Sequence, residues 1–311
     1  MKQTVIAIVG PTAVGKSRLS VEIAKEFNGE IISGDSMQVY KGLDIGTAKI
    51  TDDEKQGIPH YMIDIREPDQ AFSAADFQHN VQHYINEIDS KQKLPIIAGG
   101  SGLYIQAALF NYNFSNQRRD EQVTKRLEQE LDSKGAMDLY NRLEQLDPEQ
   151  AAKIHPNNHR RLIRALEIYE TTGKTMSEYQ RNQLRDGDYN PIFIGLEMDR
   201  DLLYERINRR VDNMMEQGLL DEVRHLYKHG YADSRAMRGI GYKEFVPYFK
   251  EEQTLDESIR LLKRNSRRYA KRQYTWFRNK LPVHWYSITP ATIEETFGKI
   301  SNDLAGMFES L

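Results

Sequence analysis

Residues Gly10-Pro11-Thr12-Ala13-Val14-Gly15-Lys16-Ser17 carry the spacing G-x-x-x-x-G-K-[ST] directly after the apolar run Val5-Ile6-Ala7-Ile8-Val9. That order predicts a strand, a tight glycine turn and a helix whose N-terminus meets phosphate. The glycines let backbone N–H groups turn inward, and the aligned helix dipole adds partial positive charge. In such a loop Lys16 neutralises a terminal phosphate and the Ser17 hydroxyl ligates Mg²⁺. Leu19, Ile23, Ala24 and Phe27 continue at helical spacing. The loop suits nucleotide binding, ATP included, but does not say which phosphate-bearing molecule is held.

The segments that follow alternate in type. Glu30 to Ser33 and Leu94 to Ala98 read as further strands, and Ser73-Ala74-Ala75-Asp76 as a helix start followed by Phe77, Val81, Tyr84, Ile85 and Ile88 on one face. Gly99-Gly100-Ser101-Gly102 turns the third strand into another helix. From about 116 to 188 the sequence is charged and helix-forming, without a strand. The sheet resumes at Pro191 to Leu196, helices follow over about 201–229 and 256–279, and a short strand lies near 283–286. The expected fold is α/β: a P-loop parallel sheet with helices on both faces in residues 1–115 and 189–311, plus a helical insertion domain at 116–188.

Composition narrows the surroundings. The chain of 311 residues is 39% hydrophobic and has no cysteine, which excludes disulfides and thiolate metal sites and points to a reducing compartment, the cytoplasm. The first apolar run is too short for a signal peptide, and no run approaches the ~20 residues of a membrane span, so no membrane partner is expected. Net charge is only −3, yet nine Lys or Arg and no acid fall between Arg260 and Lys280, with Tyr269, Tyr274, Trp276 and Phe277 interleaved. The stripe is either an anion-facing surface or a solvated helix face with its aromatics in the core.

Four further groups bear on chemistry. Asp35 closes the second strand, at the carboxyl end where ligands of parallel sheets sit; it can ligate Mg²⁺, take a proton or cap the following turn. Arg206 and Arg210 share a helix face and can aim two guanidinium groups at one polyanion, with Arg209 pointing elsewhere. Arg160, Arg161 and Arg164 form a second basic cluster, and Arg238-Gly239-Ile240-Gly241-Tyr242-Lys243 a glycine-loosened basic turn open to phosphodiester or base. Finally, the third strand ends in glycines where a P-loop ATPase carries an acid, which argues for group transfer over hydrolysis.

The chain resembles the bacterial tRNA dimethylallyltransferases (tRNA isopentenyltransferases) over nearly its whole length. The carriers are Gly10 to Ser17, Asp35-Ser36-Met37-Gln38-Val39-Tyr40, Asp44-Ile45-Gly46-Thr47-Ala48-Lys49, Pro59-His60, Ala98-Gly99-Gly100-Ser101-Gly102-Leu103-Tyr104, His155-Pro156-Asn157, Gly239-Ile240-Gly241-Tyr242 and Ala270-Lys271-Arg272-Gln273-Tyr274-Thr275-Trp276. The resemblance implies transfer of a dimethylallyl group from dimethylallyl diphosphate to N6 of the adenosine 3′-adjacent to the anticodon, releasing diphosphate. It further implies that Gly10, Pro11, Thr12, Ala13, Val14, Gly15, Lys16 and Ser17 hold the diphosphate, with Ser17 on Mg²⁺. Asp35 is then the general base and Arg210 the clamp on the leaving group, with Arg206 beside it. The implied contacts to the tRNA anticodon stem-loop are Asp35, Ser36, Met37, Gln38, Ser101, Arg160, Arg161, Leu162, Ile163, Arg164, Gly239, Ile240, Gly241, Tyr242, Lys243 and Glu244. A monomer is expected. Two rivals share parts of this pattern: a P-loop phosphotransferase acting on a nucleoside or small metabolite, and a nucleotide-switched RNA-binding module.

Overall fold

The computed structural model of the protein describes residues 2–110, 112, 120–181 and 187–309; the expected boundary at 115–116 lies outside them. In chain order the elements begin with β1 (Gln3–Val9), α1 (Lys16–Glu26), β2 (Gly29–Ser33), α2 (Asp52–Lys55), β3 (His60–Tyr61), α3 (Ala74–Ser90), β4 (Leu94–Gly99) and α4 (Gly102–Leu109). Next come α5 (Glu121–Lys134), α6 (Ala136–Leu146), α7 (Pro148–Ala151), α8 (His159–Thr172) and α9 (Met176–Arg181). They are followed by β5 (Tyr189–Glu197), α10 (Arg200–Glu216), α11 (Leu219–Lys228), α12 (Val246–Phe249), α13 (Leu255–Lys280), β6 (Val283–Ser287) and α14 (Ile293–Glu309). Two compact units result, Met1–Leu109 with Asp188–Leu311, and Phe110–Gly187.

In the first unit six strands form one sheet in the order β3-β2-β4-β1-β5-β6, every pair parallel. β1 is central, and Val5 to Val9 are all buried, as a strand covered on both faces requires. Ile6, Ile8, Ile31, Ile96 and Ile194 pack with Leu19 and Ile23 of α1 and Phe297, Ile300 and Leu304 of α14. Because side chains alternate along a strand, α3 and α4, which pack against β4, cover the opposite face. α3 starts as its sequence predicts: Ser73 Oγ accepts from the Asp76 N–H while Asp76 reaches back to the Ser73 N–H.

From β1 the chain runs through α1 towards β2, whereas from β4 it proceeds towards β5 on the other side. The carboxyl ends of β1 and β4 are therefore a switch point, where the sheet opens a crevice. β2 and β4 close together just beyond it. A Cβ on Gly99 would lie 2.3 Å from the Gly34 carbonyl carbon, so no side chain fits at that tip. β3 was not expected: two residues are too few for alternation to register.

The second unit has helices and turns, and no strand, among its described residues. Leu127, Leu139, Leu143, Leu162 and Leu166 of α5, α6 and α8 build its core. Asp120 caps α5, and the buried Asp147 caps α7 while accepting from both the N–H and the hydroxyl of Ser177.

Candidate active site

A cleft of about 720 Å³ opens over the carboxyl ends of β1, β2 and β4. A second pocket of about 310 Å³ adjoins it, with Thr12, Asp35, Thr47, Ala48, Arg210, Met214 and Tyr269 lining both. All of the lining belongs to the first unit. The larger chamber carries most of the charge, while Met37, Ile207, Val211, Ile240 and Leu262 give the smaller one apolar walls.

The loop between β1 and α1 is held from three directions. Lys16 Nζ donates to the Pro11 carbonyl at 2.6 Å, Arg206 Nε to the Ala13 carbonyl at 3.1 Å, and the Thr12 N–H to Gln273 Oε1 at 2.9 Å. Thr12, Ala13, Gly15, Lys16 and Ser17 face the cleft. Gly10, Pro11 and Val14 are buried beneath the loop and shape it without facing a ligand.

Three ionisable groups meet in this cleft and perturb one another. Burial, then the Arg210 guanidinium, lower the Lys16 ammonium to about 7, with Asp35 opposing. Burial pushes the Asp35 carboxyl up, against the Met37 N–H bond and the Lys16 and Arg210 charges. Burial also holds Arg210 below its ordinary value, offset mainly by Asp35. Asp35 does cap its turn, Oδ1 accepting from the Met37 N–H at 2.8 Å, and it faces the two cations as well. Capping therefore does not take Asp35 out of the cleft.

The wall formed by residues 44–51 was not anticipated as a unit. Glu222 of α11 accepts from the backbone N–H of Asp44 at 3.0 Å, Ile45 at 2.8 Å and Gly46 at 3.0 Å. Gln38 Nε2 donates to the Thr47 and Ala48 carbonyls, and Gln38 Oε1 accepts from the Ser33 hydroxyl. Ser36, another expected RNA contact, donates its N–H to Ser101 Oγ at 3.2 Å. Lys49, only 7% exposed, is committed to Asp44 and Asp64.

Several expected contacts need correction. Tyr242 is fully buried with its ring against Gly46, and Glu244 is buried, accepting from the Gly241 N–H and Asn265. Neither side chain can reach an RNA; the glycine-rich turn serves packing against Gly46 and Met37, while Gly239, Ile240 and Arg238 line the smaller pocket. Leu162 and Ile163 lie in the core of the second unit, because α8 buries that face. Arg160 and Arg161 are exposed there, whereas Arg164 is half-buried and pairs with Glu167 at 2.9 Å. Arg209 lines the cleft along with Arg206 and Arg210 instead of pointing away.

α13 also reads differently in three dimensions. Acids from outside the basic interval pair with Arg260 (Glu257), Lys263 (Asp212) and Arg278 (Glu197), and Arg267 donates to Asn208. Arg268, Lys271 and Arg272 are exposed. The interleaved aromatics face inward: Phe277 is in the core, Trp276 covers Gly102, and the Tyr274 hydroxyl accepts from the Met198 N–H at 2.9 Å. Glu197 ends β5, but it is engaged with Arg278 and Ser287 and does not line the cleft.

A glycine loop at the switch point of a parallel sheet, facing a cation-lined cleft, defines a phosphate-handling α/β protein. The profile of the IPP transferase family matches residues 38–280. The tRNA dimethylallyltransferase of Oceanobacillus iheyensis is 59% identical over 309 residues, covering 99% of each chain, and that of Bacillus subtilis is 52% identical over 99% of this chain and 98% of its own. The crystal structure of the full-length tRNA isopentenylpyrophosphate transferase of Bacillus halodurans superimposes with a TM-score of 0.76 at 49% identity, over 100% of this chain and 98% of that one. A eukaryotic dimethylallyltransferase acting on tRNA gives a TM-score of 0.83 at 33% identity, over 98% of this chain and 80% of that one. The chain belongs to the tRNA dimethylallyltransferase family.

Proposed function

We propose that this tRNA-modifying prenyltransferase moves a dimethylallyl group from dimethylallyl diphosphate to N6 of the adenosine 3′-adjacent to the anticodon. The observation that carries the reading is the meeting of Lys16, Arg206, Arg210 and the glycine loop with the Asp35 carboxylate in a single cleft. An adenine amine is a weak nucleophile, so departure of diphosphate is where assistance counts. As the C1–O bond breaks and the N6–C1 bond forms, Lys16, Arg210, Arg206 and the loop amides oppose the charge growing on the leaving group. The proton released by N6 passes to Asp35, whose raised pKa suits it as a base. The smaller pocket's apolar wall accommodates the prenyl tail and a base extruded from the RNA stack.

Mg²⁺ would fit on the Ser17 hydroxyl, which is exposed and faces the cleft, with phosphate oxygens of a bound diphosphate as its further ligands, as Mg²⁺ commonly accepts. When bound it neutralises charge on the diphosphate. Ser36, Met37, Gln38 and Ser101 are read as RNA contacts beside Asp35, Lys243 as a further cation, and Arg160 and Arg161 as phosphate contacts of the second unit. No helix among the described residues is long and apolar enough to cross a membrane. The working form is read as a cytoplasmic monomer. The phosphotransferase alternative is not favoured, since the family relationship argues against it and β4 ends in a glycine.

The test is direct. Incubate the protein with unmodified tRNA, Mg²⁺ and radiolabelled dimethylallyl diphosphate. Label should enter RNA with release of one diphosphate per transfer, and be lost when the adenosine beside the anticodon is replaced. Label that never enters the RNA sinks the reading.

A further inference from the structure

The segment Gln273-Tyr274-Thr275-Trp276 lies within the basic stretch of α13, yet three of its four residues face the carboxyl ends of the strands. Gln273 is 5% exposed. Its Oε1 accepts from the Thr12 N–H at 2.9 Å and its Nε2 donates to the Gly100 carbonyl at 3.1 Å. One amide thus spans the turns that follow β1 and β4. The fit is close, since a Cβ on Gly100 would sit 2.0 Å from Gln273 Nε2. Tyr269, four residues earlier and on the same face, lines the cleft beside Gln273. The Thr12 N–H is therefore held by α13 within the cleft lining that Thr12, Tyr269 and Gln273 share, and the loop's approach to a ligand depends on what holds that N–H.

We infer that Gln273 is a positioning residue for the donor's diphosphate, its amide fixing Thr12 so that Lys16 and the remaining loop N–H groups meet the phosphates. The inference rests on the donor site proposed above. Gln273 contacts no reacting atom; it acts through the loop. Loss of the bridge leaves the half-buried Thr12 N–H without its protein acceptor and lets the loop relax.

The experiment uses inorganic diphosphate with Mg²⁺ as the probe, measured by calorimetry on the full chain, so it does not depend on prenyl transfer. Gln273→Met keeps the side chain's length and removes both hydrogen bonds. Diphosphate affinity should fall roughly tenfold, with donor KM raised and tRNA affinity unchanged. Gln273→Glu supplies a second readout. When protonated, its carboxyl can donate to the Gly100 carbonyl and accept from Thr12 as the amide does; when ionised it repels both that carbonyl and the diphosphate. Its affinity relative to wild type at the same pH should recover as pH is lowered from about 8 to about 5.5. Wild-type affinity in Gln273→Met, or a pH-independent ratio in Gln273→Glu, overturns the assignment. A wild type that binds diphosphate but never labels RNA removes the proposed activity and leaves this inference standing.

Discussion

The Tyr242 hydroxyl donates to Glu222 at 2.7 Å, on the carboxylate that already accepts three consecutive N–H groups from residues 44 to 46. Burial, followed by Glu222, holds the phenol well above its ordinary pKa, so the proton stays on Tyr242. Glu222→Gln leaves one acceptor oxygen for partners that use two. It should cost about 1–3 kcal/mol of stability and raise donor KM, because residues 44–51 wall the cleft. Tyr242→Phe should cost about 1 kcal/mol. Thermal melts and donor titrations check both; unchanged donor KM in a destabilised Glu222→Gln would show that this wall does not touch the donor.

Asp35→Ala should lower single-turnover transfer by about 10²–10⁴ while tRNA binding is nearly retained. The stability of Asp35→Asn gives the sign of the pKa shift. A raised folded pKa means that the native state holds this proton more tightly than the unfolded chain. That stabilisation is complete below the ordinary value of 3.8 and is lost as pH rises through the raised value. Asn should therefore melt above wild type near neutrality and alongside it in acid. A variant less stable than wild type at neutral pH contradicts the assignment.

Lys16 runs the other way. Its folded pKa of about 7 lies below the unfolded 10.5, so the free protein gains stability as pH rises across that window. Diphosphate restores the charged form. At pH 8, binding should take up about one proton, visible as a dependence of calorimetric enthalpy on buffer ionisation enthalpy. Arg210→Ala removes the charge that helps depress Lys16, so proton uptake should shrink while transfer slows. Uptake unchanged in that variant would separate the two residues.

Arg268 and Lys271 are exposed and have no acidic partner among the described residues. Neutralising both should flatten log tRNA affinity against log salt by about 0.7–0.9 for each RNA phosphate that is no longer neutralised. Transfer from saturating tRNA should be untouched. An identical slope would make this a solvated face.

What the sequence disclosed and what it hid differ by distance along the chain. β1, its loop, α1 and the Ser73 start of α3 are written in local spacing, where periodicity and capping act over a few residues. The basic interval misled in part, since Glu197 and Asp212, which neutralise Arg278 and Lys263, lie far upstream. Tyr242 and Glu244 sit in a motif that looked exposed because its glycines suggested an open turn; the glycines instead admit Gly46 and Met37. Glu222 stands in no motif, and Gln273 stands in one that says nothing of what its amide binds. The backbone N–H groups from which they accept are 176 to 178 and 261 residues away, and only the folded chain pairs them.

Thr12 leaves the ribosome 261 residues ahead of the amide that receives its N–H. β5, which flanks β1, and α13 also emerge late. The nascent chain therefore exposes a glycine loop long before it owns a finished pocket. The contact that holds Thr12 cannot form before α13 has been made.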